Sequence, residues 1–414
     1  MAIAVTVESG RSDIRVMGLV GAAHFSSHLL QLVLPPLFPL LATQFDVNFA
    51  QLGLIVTLFY ATSGLGQATA GVLVDRFGAH RLLVCGLATM GTAIVLSGLV
   101  TAYWMLLPLA VLAGIGNCVF HPADLSILSH RISAARIGRG YAVHGLMGSL
   151  GFMSAPILIG AVTMLANWRL ALIVAGAIGL AVAALLQASR ADLVYDKGGA
   201  ARSAGKIAAR PRYLDIVASP VVLLAFAYFT LTAVAGGGVQ TFAVTVLSEG
   251  YGLVLQLATL ALTLYLVGSS CGMVLGGFLA DRTDKHHRVA MTGVLVAAAL
   301  VLVLALLHDI GVAAIPVLFL AGVASGATGP SRDVLIRRAA AGQGAGTGSV
   351  FGFVYSGLDL GSCLAPLLFG LLVDAHAART VFFAIAIAYA LAAPSVVQVQ
   401  QRSAARRRVV AATS

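Results

Sequence analysis

Charge is what this chain has least of. Asp, Glu, Lys and Arg together make up 10% of its 414 residues, where a soluble domain carries about 25%. With 59% hydrophobic residues and a mean hydropathy of +0.98, it reads as a polytopic membrane protein, and length rules for soluble domains do not apply. Cysteine is also scarce. Cys85, Cys118, Cys271 and Cys363 each sit inside an apolar run at scattered spacing. That excludes a disulfide framework or zinc-type spacing and leaves them as small packing residues. No glycine-rich loop ends in a phosphate-binding lysine, so ATP-driven pumping has no support. No nucleophile constellation points to an enzyme, and no cofactor is implied. A secretory signal is not expected either: Met1 to Gly10 is mildly polar, contains Glu8 and precedes Arg11 and Arg15.

What is present is a succession of apolar runs, each near the roughly 20 residues that cross a bilayer as a helix. Twelve helices are expected, at about 16–42, 51–74, 81–100, 104–130, 138–165, 168–188, 219–246, 254–280, 288–307, 312–336, 347–373 and 379–399. The polar stretch Ser189 to Pro220 carries six basic residues and is the natural linker. The expected organisation is a six-helix bundle over 1–188, a linker over 189–218, a second bundle over 219–400 and a basic tail over 401–414. The net charge of +10 suggests nucleic acid only until the basic residues are placed. With twelve helices, 23 of the 25 Lys and Arg fall on the side of the termini and linker, and only Arg169 and Arg379 on the other. Such asymmetry marks the cytoplasmic side. Both termini are therefore expected in the cytoplasm, in a multi-pass protein of the cytoplasmic membrane that has the bilayer, not nucleic acid, as its surroundings.

One short stretch between two apolar runs is more specific. Gly71 to Arg81 reads Gly-Val-Leu-Val-Asp-Arg-Phe-Gly-Ala-His-Arg. Here Gly71 permits close helix packing, Gly78 permits a turn at positive φ, and Asp75 is an acid where basic residues prevail. The pattern returns 206 residues later as Gly277-Phe-Leu-Ala-Asp281-Arg282. G-x-x-x-D-R-x-G followed by basic residues resembles the signature between helices 2 and 3 of the major facilitator superfamily. Gly71, Asp75, Arg76, Gly78 and Arg81 fit it, and Ala79 and His80 depart from its basic pair. In the second copy Asp284 replaces the later glycine and Lys285 fits. The resemblance implies an all-α fold of two six-helix pseudo-repeats and a gate built on these loop residues. Asp75 is expected to meet the positive N-terminus of helix 11 or a base such as Arg131.

The halves repeat elsewhere. Gly151-x-x-x-Ala155-Pro156-x-x-x-Gly160 matches Gly361-x-x-x-Ala365-Pro366-x-x-x-Gly370 at an offset of 210, and Pro122 and Pro330 are 208 apart. Parallel six-helix repeats of this kind hold substrate between them near the midplane. Helices 3, 6, 9 and 12 contain no charged residue or histidine in their interiors, so they can face lipid. The resemblance makes these four peripheral.

Polar groups concentrate in the others. Helix 1 has His24, His28 and Gln31, helix 4 has Asn117, His121 and Asp124, and helix 5 has His144. Helix 7 has Gln240, helix 10 has Arg332 and Asp333, and helix 11 has Asp359. Ionisable groups inside a membrane are costly and mark paths, pairs or proton relays. His24 and His28 share one helix face. With no acid beside them on helix 1, they point to cavity lining or protonation, and no metal site is expected. Pro122 removes a backbone donor and kinks helix 4, aiming His121 and Asp124 inward. Phe120 to Asp124, with His24 through Pro36, resembles the fosmidomycin-resistance branch of the superfamily, whose members export small antimicrobials. Two features depart from proton-driven drug exporters: Gly114 to Pro122 has no arginine, and helix 5 reads Ala155-Pro156 in place of Gly-Pro.

Asp359 falls about twelve residues into helix 11, near mid-bilayer at 1.5 Å per residue. It is the first candidate for proton coupling, with His24, His28 and His121. Gln31, Asn117, Asp124, His144, Gln240 and Arg332 are candidate cavity residues, Arg332 through the affinity of its guanidinium for carboxylate or phosphate. The expected function is secondary transport of a small organic molecule, as proton-coupled efflux by a monomer. Proton-coupled uptake of an organic acid, or a transport-dead receptor, are the alternatives.

Overall fold

In the computed structural model the chain is helical throughout the described residues, which are 2–133, 136–195, 219–307, 310–341 and 347–413. Twelve helical segments are long and apolar enough to cross a membrane. They are α1 (Ser12–Phe45), α2 (Phe49–Gln67), α3 (Ala79–Ser97), α4 (Tyr103–Arg131), α5 (Arg139–Leu165), α6 (Trp168–Ala188), α7 (Pro220–Gly250), α8 (Leu255–Asp281), α9 (His286–Leu306), α10 (Gly311–Leu335), α11 (Phe353–Asp374) and α12 (Ala378–Arg402). The chain divides into two compact units, Met1–Val47 with Leu54–Ala204, and Asn48–Gly53 with Gly205–Ser414. The expected linker lies, for residues 196–218, outside the described residues.

The two units are built alike. In the first, α1 packs on α5 and α6, and α3 on α6. In the second, α7 packs on α11 and α12, and α9 on α12. The repeat extends to local breaks. Pro122 cannot supply the N–H that would bond to Cys118, and α4 is interrupted there, between the helices Leu106–Asn117 and Phe120–Arg131. Pro330 does the same to α10, which divides into Ala314–Gly326 and Thr328–Ala341. α1 breaks before its proline pair, with a short 3-10 turn at Pro35–Leu37. By contrast, Pro156 and Pro366 lie inside continuous helices.

α8 and α10 cross backbone to backbone. Gly268, Gly272 and Gly276 stack one turn apart on α8, and a methyl group at any of them would overlap the carbonyls of Phe319, Val323 and Ala327 respectively. Without a hydrophobic drive between helices in lipid, such close approach is what holds them together. The expectation of the same role for Gly71 is corrected. No described atom comes within 4 Å of a Cβ placed on Gly71 or on Gly277; Gly277 directly follows Gly276, so its Cβ points off the face that makes the crossing.

The turn after α2 is tighter than a loop. The helix Phe49–Phe77 carries Asp75 and Arg76 on its last turn, and the next helix starts at Ala79. Gly78 alone makes the corner at φ 91°, a conformation that costs glycine little. The C-terminal helix runs Ala378–Thr413, further than hydropathy suggests, because alanine and arginine are strong helix formers.

Candidate functional site

In the first unit, three helices bring a carboxylate and four imidazoles together. Asp124 enters from the second half of α4, one turn beyond the proline break. Its Oδ2 accepts from His24 Nδ1 of α1 and from His144 Nε2 of α5, each at 3.1 Å. When the carboxylate is ionised it only accepts, and both rings then present N–H to it. Asp124 is fully buried, and His24 and His144 are buried. The two rings stack with centroids 3.5 Å apart and planes inclined by 25°. His28, one turn along α1, lies 4.4 Å from His24 and packs edge-on against Phe152 at 4.3 Å. His121 lies 5.5 Å from His24 and 6.3 Å from His144, with its side chain exposed. Glycine on α5 makes the crowding feasible: a Cβ at Gly148 would stand 2.9 Å from His24 Nε2 and 3.3 Å from His28 Nε2.

A second polar chain runs beside this cluster. Gln31 Nε2 donates to Asn117 Oδ1 at 3.2 Å, and Asn117 Nδ2 donates to Ser63 Oγ at 2.9 Å, tying α1, α4 and α2. The sequence reading had separated His24, His28 and His121 from Asp124 and His144 by role. The structure makes one cluster of all five. One ring nitrogen from each of His24, His121 and His144 lies within 4.8 Å of the others, so these three are the residues that could hold a metal ion.

The second unit has its own polar centre. Arg332 Nε donates to Asp333 Oδ1 at 3.0 Å, Tyr355 of α11 donates to the same oxygen at 3.3 Å, and the guanidinium lies 4.4 Å from the Phe229 ring centre on α7. Asp359 lies a turn further along α11, partly exposed, with no hydrogen bond or ion pair among the described residues. Gln240 is half-buried on α7.

The family model described as Major Facilitator Superfamily matches residues 20–349 and 232–409. The chain belongs to the Major Facilitator Superfamily. Among curated relatives, the fosmidomycin resistance protein of Escherichia coli (strain K12) is 26% identical over 88% of this chain and 89% of its own. The membrane sensor protein UhpC of Salmonella typhimurium is 23% identical over 61% of this chain and 60% of its own. The probable sulfoacetate transporter SauU of Cupriavidus necator is 24% identical over 66% of this chain and 65% of its own. A solved bacterial homolog of the human lysosomal transporter Spinster, in an inward-facing and occupied conformation, shares the fold with a TM-score of 0.73 over 95% of this chain and 96% of that one, at 15% identity.

The superfamily's loop residues are placed less compactly than the buried cluster. Asp75, Arg76 and Arg81 are exposed around Gly78, and Asp281 and Arg282 are exposed at the end of α8. The guanidinium of Arg131 donates to the carbonyls of Asp192 and Ala191, at 2.7 and 3.3 Å. Sequence reasoning missed a third group at this end of the first unit. Asp13 accepts from Ser133 Oγ at 2.6 Å and from Arg136 at 3.1 Å, and Arg15 pairs with Asp192 at 3.1 Å. An acid within the first turn of a basic terminus was the available signal.

Proposed function

We propose that this superfamily member is a secondary active transporter that moves a small organic molecule across the cytoplasmic membrane by alternating access, as proton-coupled efflux. The observation that carries the reading is the placement of ionisable side chains inside membrane spans of both units: His24, Asp124 and His144 in one, and Arg332 with Asp333 near the end of α10 in the other. Such groups are retained in lipid-embedded helices where they serve a substrate or ion path. The likeness to the fosmidomycin resistance protein over most of the chain supports a small antimicrobial as cargo. Asp359 is the proposed coupling residue, since it is a membrane carboxyl without a hydrogen-bond or ion-pair partner among the described residues. His24, His28 and His121 of the first unit are the further proposed coupling residues, and Gln31, Asn117, Gln240 and Arg332 are proposed cavity residues. The termini are cytoplasmic in this reading.

Uptake of an organic acid is the second reading. It is favoured by the Arg332 guanidinium within α10 and by the likeness to a probable sulfoacetate transporter. A receptor that binds without transporting is the third, favoured by the likeness to UhpC sensors. Proteoliposomes with an imposed pH gradient, screened against antimicrobials and small organic acids, separate them. Efflux predicts accumulation on the acidic side, uptake predicts accumulation on the alkaline side, and specific binding without flux in either direction would overturn the transport reading.

A further inference from the structure

We propose that His24, His121 and His144 form a binding site for a divalent transition-metal ion of the zinc class, with Asp124 orienting two of the three rings. The ligands come from α1, α4 and α5, so the site exists only in the folded bundle. Their nitrogens lie within 4.8 Å of one another. An ion bonded to three imidazoles at 2.0–2.1 Å holds its donor nitrogens about 3.4–3.6 Å apart. Closing the remaining gap takes a movement of roughly 1.2 Å or a little more. His121 supplies it, because its side chain is exposed and makes no hydrogen bond among the described residues.

Asp124 makes the arrangement more than a crowd of imidazoles. Each of His24 and His144 spends one N–H on its carboxylate, which leaves the opposite nitrogen of each ring as a lone-pair donor. A carboxylate holding metal-ligating histidines in one tautomer is the usual support of such sites. The charge balance points the same way. Asp124 is fully buried, and among the described residues its ion-pair partners are the two histidines and its Oδ1 has no hydrogen-bond partner. An unpaired buried anion is strongly disfavoured, and a cation held by the adjacent rings offsets it. His28 flanks the site with a buried, unpartnered Nδ1. The space that a side chain at residue 148 would fill adjoins the Nε2 atoms of both His24 and His28. Imidazole ligands select zinc, nickel, copper or cobalt over magnesium and calcium.

The test is direct binding, with no substrate and no gradient, so that a protein inactive in transport still reports on it. The full chain, purified on a tag without histidine, is titrated with Co2+ as a visible-absorbing stand-in and then with Zn2+. One saturable site is expected, with the absorption of a low-coordinate histidine site, displaced by Zn2+ and untouched by Mg2+. His121→Ala leaves the buried packing in place and should weaken binding more than about tenfold. Asp124→Asn should weaken it about 10–100-fold, and His376→Ala should leave it unchanged. Absence of a saturable site, or full binding by His121→Ala, would overturn the proposal, and His121→Ala decides alone if Asp124→Asn does not fold.

Discussion

His24 and His144, which are 120 residues apart in sequence, donate to the same carboxylate oxygen of Asp124 while their rings stack 3.5 Å apart. One acceptor therefore ties α1, α4 and α5 at the centre of the first unit. The tie is electrostatic as well as steric, since hydrogen bonds to a charged group contribute about twice as much as neutral ones.

Removal of that acceptor should be felt in stability. Asp124→Ala leaves two buried ring N–H groups unpaired, at about 1–3 kcal/mol each. We expect a thermal midpoint in detergent several degrees below wild type, with Asp124→Asn falling between the two because its amide oxygen still accepts. Differential scanning fluorimetry checks the order; equal midpoints for Asp124→Ala and wild type would count against the tie.

The glycine ladder makes a second stability prediction. Gly272→Val places a branched side chain against the Val323 carbonyl at the α8–α10 crossing. Overpacking of this kind costs about 1–3 kcal/mol or more, so yield and thermal midpoint should both fall. Gly277→Val, with no described atom within 4 Å of its Cβ, should fold like wild type. The two variants compared side by side separate glycines on the crossing face of α8 from one that points off it.

Much of this was readable beforehand and some was not. The breaks at Pro122 and Pro330 follow from a missing N–H, a local property that any sequence displays. The turn at Gly78 and the twelve apolar spans are local in the same sense. Helical periodicity also puts His24 and His28 on one face. It does not say that His144, not His121, shares Asp124 with His24, because that depends on which helices meet and at what height. Gly148 and Ser63 were invisible for the same reason, as were the carbonyl partners of Arg131. Gly71 went the other way: its motif suggested packing, but only its position relative to a crossing could decide.

Orientation is testable by labelling. In a cysteine-free background, Glu249→Cys and Lys285→Cys place single thiols at exposed positions on opposite ends of α8. The charge asymmetry predicts that an impermeant thiol reagent added outside cells labels residue 249 and spares residue 285. The opposite pattern would invert the topology.

The gate proposal rests on Asp75, an acidic residue exposed on the last turn of the helix Phe49–Phe77 beside Gly78. A contact formed in one state only shifts the transport equilibrium by its difference between states. Asp75→Asn should reduce the transport rate about tenfold or more, since 1.4 kcal/mol is a factor of ten, while expression and thermal midpoint stay at wild-type values. Unchanged transport by a well-folded Asp75→Asn would remove it from the gate.

Proton coupling through Asp359 is the central claim, and one comparison tests it. Wild-type and Asp359→Asn proteins are reconstituted in proteoliposomes, and accumulation under an imposed pH gradient is measured beside exchange of labelled substrate at equal pH. Asparagine keeps the shape of the side chain and removes its exchangeable proton. The expected result is accumulation by wild type alone, with exchange retained by both. Accumulation against a gradient by Asp359→Asn, driven by protons as in wild type, would contradict it.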